Sequence, residues 1–512
     1  MTYNSLGFFV FFAIFLICYL LMPDVKLRQA VILAGSFLFY LLAAGPAVLM
    51  ILIGTAVVVY LCSRQIAKIY VGYDKEKEGL PPKEQAALFA EYKKKSKKYL
   101  VAALVLIVGF LVFVKMARLL HVQSILVPIG ISYYTFSSVG YLLDIYWKKA
   151  SCENNFLKLL LCMTYFPHIV QGPIGRYDKL LKQFDALPKP EYQRICFGLQ
   201  RMLWGFFKKM VVADRLALYT TAVWNMPDYH AGLEMLFAIV LGAVELYADF
   251  SGCMDIVCGA AQTMGVTLEE NFRRPFFAKN AAEFWRRWHI TLGTWFKDYI
   301  YMPIAMNPRF MKWAVKVRKN HGNRAGQVVS AAVPLTVVWL LTGLWHGTGM
   351  NYVVWGLYWG ILIILETIFA KETKQLNAKL HIDPKKKWFQ VFQMVRTFLV
   401  FCVGRMLTVT GTLTGFTVLV RQLFAGSGIR AFTQGSLFGF GLDRKNFIVA
   451  LIGVALIWLV DILQEHIQIR EWLAKRSLPV RWLVYYSACV ILLIFARYGS
   501  VYDASSFIYG GF

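Results

Sequence analysis

Long apolar runs with almost no charge constrain the fold of this chain more than any other feature. The stretch 5–21 contains no Asp, Glu, Lys or Arg, and 99–117 contains only Lys115. A helix needs about 20 apolar residues to cross a bilayer. The runs are continuous rather than alternating, which favours helices over a β-barrel. Because only 16% of the 512 residues are charged, against about 25% in soluble domains, the sequence predicts an all-α polytopic membrane protein.

The apolar runs predict about 11–13 membrane segments within one membrane domain over 1–512. The 30–62 run is too long for one span and has Gly45-Pro46 near its middle, so we expect two spans joined by a tight turn. The 156–174 run has two prolines and a glycine near its end, which predicts a broken helix. The 192–224 stretch mixes apolar and basic residues and predicts an interfacial amphipathic helix.

The net charge of +26 comes from basic stretches between the apolar runs. By the positive-inside rule, 64–98 and 371–387 are predicted to be cytoplasmic loops, which puts the N-terminus outside a plasma membrane. The same rule explains the charge without nucleic acid, and no nucleic-acid-binding motif is present. There is no Cys-x-x-Cys pair, so the spacing of the cysteines indicates no metal site.

In the stretch 271–347, ionisable residues adjoin strongly apolar segments more closely than anywhere else in the chain. An ionisable residue within a membrane is a functional candidate by default. Trp339, Thr342, Gly343 and His346 share one face of the apolar helix predicted over 331–346. Burial disfavours a charged imidazolium, so we expect His346 to be neutral and able to accept a proton from a hydroxyl.

A second histidine, His289, follows the paired arginines Arg286 and Arg287. Trp285, Trp288 and His289 are predicted to share a helix face at the membrane interface, where the arginines could hold phosphate or carboxylate groups. For a single membrane histidine a structural role is the stronger expectation. Because a second histidine lies nearby in a polar and aromatic segment, a functional role for His289 and His346 is favoured over a structural one.

Two acidic residues, Glu245 and Asp249, lie four apart in a long apolar region and share a helix face. They are either buried carboxylates neutralised by nearby arginines or the polar wall of a substrate cavity. Both alternatives predict that the carboxylates face inward.

At these residues the sequence resembles the membrane-bound O-acyltransferase (MBOAT) family, in its bacterial alginate O-acetyltransferase-like branch. The matching blocks cover most of the chain: Tyr-Ala-Asp-Phe-Ser-Gly at 247–252, Glu-Asn-Phe at 270–272, Phe-Trp-Arg-Arg-Trp-His-Ile at 284–290, Trp-Phe-Lys-Asp-Tyr-Ile-Tyr at 295–301, Thr-Gly-Leu-Trp-His-Gly at 342–347, Gln-Gly-Pro-Ile at 171–174 and Phe-Ile-Tyr at 507–509.

The resemblance implies that His346 is the catalytic histidine and His289 the second functional one. It also implies a multi-helix bundle with a central funnel or tunnel and 271–347 as the catalytic core. No tightly bound cofactor is expected. The further residues that we expect along the tunnel are Trp285, Arg286, Arg287, Asp298, Thr342, Trp345, Asn271 and Asp249.

The resemblance further implies that an acyl group, acetyl by analogy with the branch, passes from a cytoplasmic acyl-CoA or acyl-carrier thioester to a hydroxyl. That hydroxyl would belong to an extracellular polysaccharide or a partner relay protein. The expected partners are the donor, an extracellular acyl-relay or polysaccharide-modifying protein, and membrane lipids. The alternatives are a D-alanyl transferase to teichoic acid and a non-enzymatic exporter of a lipid-linked sugar. An exporter would be expected to show paired inverted repeats.

Overall fold

A computed structural model describes residues 1–120, 122 and 128–498, and the regular structure of this part of the chain is helical, with one isolated β-bridge and no strand. The prediction of an all-α protein is confirmed. The described residues form two compact units, one of Met1–Met202 with Val257–Glu269 and the other of Leu203–Ile256 with 270–498. The sequence also predicts an apolar span over 125–147, and its first residues, 125–127, lie outside the described residues, as does the motif at 507–509.

The first helices follow the predicted apolar runs. In chain order they are α1 (Leu6–Leu20), α2 (Val25–Ala44), α3 (Pro46–Glu76), α4 (Pro82–Leu119), α5 (Ile131–Tyr146), α6 (Phe156–Thr164), α7 (Phe166–Ile169), α8 (Tyr177–Asp185) and α9 (Tyr192–Phe206). Asp24 and Asn155 begin α2 and α6 by accepting hydrogen bonds from backbone N–H groups of the first turn.

The turn predicted at Gly45-Pro46 is confirmed. Gly45 has φ +84° and separates α2 from α3, a conformation that glycine adopts without steric cost. The 64–98 stretch, in contrast, is mostly helical, and its place as a cytoplasmic loop stays a prediction. Helix α3 continues to Glu76 and α4 begins at Pro82, because Lys and Glu are good helix formers even where they end an apolar run.

The predicted break within 156–174 is present. Helix α6 ends at Thr164 and the short α7 ends at Ile169, with the non-helical Tyr165 between them. Pro167 sits in the first turn of α7, where a missing backbone N–H costs little.

The remaining helices, in chain order, are α10 (Asp214–Asn225), α11 (Gly232–Thr263), α12 (Ala281–Arg287), α13 (Ile290–Phe296), α14 (Met302–Ala305), α15 (Pro308–His346), α16 (Met350–Ile368), α17 (Ala370–Lys379), α18 (Lys387–Val409), α19 (Leu413–Phe424), α20 (Arg430–Thr433), α21 (Arg444–Gln464), α22 (Ile469–Ala474) and α23 (Leu478–Phe495). The basic stretch 371–387, predicted as a loop, contains α17.

Eight of the described helices are long and apolar enough to cross a membrane, and α1 and α19 are shorter apolar helices. These numbers agree with a polytopic membrane protein. They are lower than the predicted 11–13 segments, in part because α6, α7 and α9 are shorter than a membrane span.

The 192–224 stretch differs from the predicted interfacial helix in where its lysines lie. A π-helix over Phe207–Ala213 follows α9, and Lys208 and Lys209 are 4% and 3% exposed. Their ammonium groups pair with the carboxylates of Asp255 and Asp249 at 2.6 and 2.5 Å. Buried charges of this kind need close partners, so a count of basic residues along the chain could not separate them from an interfacial face.

Candidate functional site

His289 lies in the break between two short helices. Helix α12 ends at Arg287, Trp288 is extended and forms an antiparallel bridge with Phe272, and His289 has φ +47° and ψ +50°. The backbone N–H of Ile290 donates to the Asn271 carbonyl at 3.0 Å. The predicted shared helix face of Trp285, Trp288 and His289 is therefore wrong. Trp288 and His289 are 2% and 1% exposed, so their side chains face the protein interior.

The segment before His289 is fixed by capping of α12. The Asn280 side chain accepts a hydrogen bond from the Glu283 N–H at 2.8 Å. Both oxygens of the Glu366 carboxylate, from α16, accept from the N–H groups of Ala281 and Ala282 at 2.8 and 3.0 Å. A carboxylate at a helix N-terminus satisfies N–H groups that have no partner within the helix. Glu366 therefore ties α12 to α16.

Asn271 determines which nitrogen of His289 carries the proton. Its Oδ1 accepts from the Thr291 backbone N–H at 3.1 Å and from the Thr291 hydroxyl at 3.0 Å, and it lies 3.2 Å from His289 Nδ1. A backbone N–H can only donate, so the atom facing Thr291 is the amide oxygen. His289 Nδ1 must then be the donor, and Nε2 carries the lone pair of the neutral ring.

Burial keeps that ring neutral. Transfer out of water disfavours the charged imidazolium and lowers the pKa of His289 to about 3. His289 is consequently deprotonated at Nε2 across the physiological pH range.

His346 ends helix α15 and is 4% exposed. Its ring lies 4.6 Å, centroid to centroid, from the Trp345 ring and 4.8 Å from the Trp355 ring of α16. The Trp345 ring also lies 5.7 Å from the His289 ring. One indole therefore contacts both imidazoles and links the two predicted histidines in one buried cluster.

The position of His346 depends on close packing of α15 against α16. A Cβ on Gly343 would lie 2.3 Å from the Tyr352 carbonyl oxygen, and a Cβ on Gly356 would lie 2.3 Å from the Trp339 carbonyl oxygen. Small residues at such crossings let two backbones approach each other. The predicted face of Trp339, Thr342, Gly343 and His346 is buried, as expected.

The two acidic residues of α11 face inward, as both alternatives predicted. Glu245 is 6% and Asp249 1% exposed. Asp249 pairs with Lys209 rather than with an arginine, and Glu245 accepts a hydrogen bond from the Thr220 hydroxyl at 2.6 Å. Asp249 is thus engaged in a buried ion pair, and a place for it in a tunnel stays a prediction.

The other predicted tunnel residues differ in their surroundings. Arg286 is exposed, and Arg287 forms ion pairs with Glu283 at 2.9 Å and Glu465 at 3.5 Å. Thr342 donates its hydroxyl proton to the Val338 carbonyl of its own helix at 2.7 Å. Their contribution to a tunnel stays a prediction.

Trp285 and Asp298 are both partly buried. The Trp285 ring packs 4.9 Å from the Trp339 ring, and Asp298 lies in a π-helix over Lys297–Tyr301. π-helical turns occur frequently at functional sites. A tunnel role for these two residues also stays a prediction.

Three residues around the two histidines were not among the predicted site residues: Trp355, Phe250 and Glu366. The Phe250 ring lies 4.9 Å from the His289 ring. The signal for Trp355 was present, since Asn351, Trp355 and Trp359 recur every four residues and share one buried face of α16. Among the described residues, no three His, Cys, Asp or Glu side chains are grouped so as to hold a metal ion.

Comparison with known proteins identifies the family. The family model of the membrane-bound O-acyltransferases, MBOAT, matches residues 149–315. The teichoic acid D-alanyltransferase of Bacillus subtilis (strain 168) is 30% identical over 280 residues, which cover 54% of this chain and 67% of that protein. The chain belongs to the membrane-bound O-acyltransferase family. The resemblance inferred from the motifs is confirmed, and the family match includes His289.

Other members of the MBOAT family are also similar to the chain. The probable alginate O-acetylase AlgI of Pseudomonas syringae pv. tomato is 32% identical over 280 residues, 55% of this chain and 48% of that protein. The peptidoglycan O-acetyltransferase of Helicobacter pylori is 27% identical over 305 residues, 54% of each protein. The chain spans about half the length of the alginate O-acetylases that it matches. These similarities support the alginate O-acetylase-like branch of the family.

Proposed function

We propose that this protein is a membrane O-acyltransferase that moves an acyl group, acetyl in the first instance, from a cytoplasmic thioester to a hydroxyl. The acceptor is an extracellular polysaccharide or a partner relay protein, and the donor is acyl-CoA or an acyl-carrier protein. The observation that carries the proposal is the buried cluster in which Trp345 contacts both His289 and His346. Relatives whose names denote O-acetylation support the acyl chemistry.

In the proposed reaction His346 is the general base. Its neutral imidazole takes the proton of the acceptor hydroxyl as the oxygen attacks the thioester carbonyl. A C–O bond forms, the C–S bond breaks, and the proton passes from the imidazolium to the leaving thiolate. A positioned base of this kind contributes roughly 10²–10⁴-fold in rate.

His289 has a separate place in this scheme. Because Asn271 Oδ1 fixes the proton on Nδ1, Nε2 is a hydrogen-bond acceptor. An acceptor at this position orients a substrate hydroxyl without taking its proton, since His289 is a weak base when buried. Asn271 is then a positioning residue rather than a tunnel wall.

A second candidate function is D-alanyl transfer to teichoic acid. It is favoured by the Bacillus subtilis relative, whose length this chain covers more fully than that of the alginate O-acetylases. The two candidates share the hydroxyl acceptor and the role of His346, and they differ in the acyl group. Parallel incubations with labelled acetyl donor and with labelled D-alanyl carrier protein separate them.

The experiment that tests the proposal supplies a labelled acetyl thioester to membranes containing the protein and measures alkali-labile label in extracellular polymer. Transfer is expected with the wild type and with the control His321→Ala, since His321 is exposed on the same helix. Loss of transfer is expected with His346→Ala. Movement of a lipid-linked sugar across vesicles that contain no acyl donor would instead support the exporter.

A further inference from the structure

Helix α15 is bent into two arms, and the bend leaves a cleft. Gly322 has φ +85° and ψ +168° within the helix, a conformation that requires glycine. A Cβ at Gly322 would meet nothing within 4 Å, so the backbone angle rather than packing selects glycine here. The cleft measures about 710 Å³, within the usual range of ligand sites of roughly 300–1,000 Å³.

The cleft is lined mainly by the two arms of α15 and the end of α16, with Tyr301 and Ala305 from the segment before α15. The first arm contributes an apolar face that ends at the cation of Arg318. The lining side chains that matter here are Phe310, Met311, Val315, Arg318, Val328 and Ile368. One end is therefore charged and the rest is largely apolar.

The charge of this region is entirely positive along α15. The helix contains six Lys or Arg residues and no Asp or Glu. Arg324 pairs with Glu372 at 2.8 Å and lies 5.1 Å from the Phe369 ring centroid, so its charge is offset. Arg318 forms no ion pair among the residues that the structure describes. The two arms of α15 approach each other closely at this residue, because a Cβ placed on Gly326 would lie 2.5 Å from the Cβ of Arg318. Arg318 is thus the cation available to a ligand.

Both helices that form the cleft are candidate membrane spans, α15 by its second arm and α16 by its whole length. The cleft lies where α16 ends and the basic α17 follows. Headgroups meet protein at the ends of membrane-spanning helices, and clusters of Lys and Arg there favour anionic lipids. An apolar wall beside a single available arginine matches an acyl chain joined to a phosphate.

We propose that this cleft is a binding site for an anionic phospholipid, with the phosphate on the Arg318 guanidinium and an acyl chain along Met311, Val315 and Val328. Arginine suits this role because its planar fork binds phosphate through two parallel hydrogen bonds. The proposal is independent of the acyl-transfer reaction, since none of these residues belongs to the histidine cluster.

The test titrates the purified full-length protein in neutral detergent with phosphatidylglycerol and with phosphatidylcholine of the same acyl chains, followed by native mass spectrometry. Phosphatidylglycerol is expected to bind about tenfold tighter. Arg318→Gln is expected to remove that preference, whereas the control Lys319→Gln, an exposed neighbour outside the cleft lining, keeps it. Val328→Trp is expected to weaken binding of both lipids by occupying the cleft.

Several outcomes would overturn the lipid site. Equal affinity for the two lipids, or an unchanged preference in Arg318→Gln, would remove the role of the arginine. Displacement of the lipid by water-soluble glycerol phosphate at matching concentration would show a site for phosphate alone. Binding of an acidic protein that phosphatidylglycerol does not displace, and that Val328→Trp leaves intact, would make the basic arm a protein-docking surface.

Discussion

Replacing Asn271 by leucine should destabilise the protein more than the loss of a helix cap. The substitution keeps the approximate volume of the side chain but removes the oxygen that accepts from Thr291 N–H, Thr291 Oγ1 and His289 Nδ1. The hydroxyl can rotate and the imidazole can change tautomer, but the backbone N–H cannot. One orphaned buried donor costs about 1–3 kcal/mol and each lost hydrogen bond about 0.5–1.5 kcal/mol, so we expect a loss of about 3 kcal/mol.

Asn280→Ala provides the scale for this prediction, because removal of a helix cap costs about 1 kcal/mol and Asn280 caps α12 in the same unit. The assay is the apparent melting temperature of each detergent-purified variant, measured by fluorescence-detected size-exclusion after heating. The expected order is wild type, Asn280→Ala, then Asn271→Leu. Asn271→Asp keeps a hydrogen-bond acceptor and should have a higher melting temperature than Asn271→Leu. If the melting temperature of Asn271→Leu equals or exceeds that of Asn280→Ala, the assigned tautomer and its hydrogen bonds are wrong.

Two further predictions concern the same cluster. The lowered pKa of His289 means that the unfolded state binds more protons than the folded state below the ordinary value of about 6.5. The free energy of unfolding therefore decreases as the pH is lowered. Between about pH 7.5 and about pH 5 the free energy of unfolding of the wild type should fall by about 2 kcal/mol more than that of His289→Gln. The measurement is the melting curve of each protein at the two pH values, and an equal loss in both proteins would contradict the prediction. Gly343→Ala should separate α15 from α16 and cost about 1–3 kcal/mol, because its methyl group would meet the Tyr352 carbonyl oxygen. The control Gly109→Ala, where a Cβ meets nothing within 4 Å, should be neutral or slightly stabilising, and equal effects would refute the close crossing.

Periodicity and turn chemistry predicted much of the helical framework. The turn at Gly45, the break within 156–174 and the buried face of His346 follow from local rules, because each depends on residues close together in the sequence. The basic stretches were harder to interpret. Lys and Glu form helices as readily as they form loops, so most of 64–98 extends α3 and α4.

The environment of His289 could not be obtained from helical spacing. Its left-handed backbone and its contact with Asn271, 18 residues earlier, come from a bridge between Phe272 and Trp288. The spacing of Trp285, Trp288 and His289, three and four residues apart, favoured a helix there, but tertiary pairing overrode that preference. The motif resemblance identified both histidines, but only the structure shows that Trp345 joins them.

The burial of Lys208 and Lys209 illustrates a second limit. Along the chain these residues look like part of an interfacial basic face, but their partners Asp255 and Asp249 lie forty or more residues later on α11. A sequence without aligned relatives does not reveal which charges pair across such a distance. The same reasoning explains why Asp249, predicted along a tunnel, is held in a buried ion pair.

Acyl transfer by His346→Ala tests the central claim most directly. Membranes with equal amounts of correctly folded wild type and variant receive labelled acetyl thioester, and alkali-labile label is counted in the extracellular polymer. Loss of a positioned general base predicts a fall of roughly 10²–10⁴-fold, with His321→Ala unchanged. A His346→Ala protein that transfers label at the wild-type rate would contradict the account.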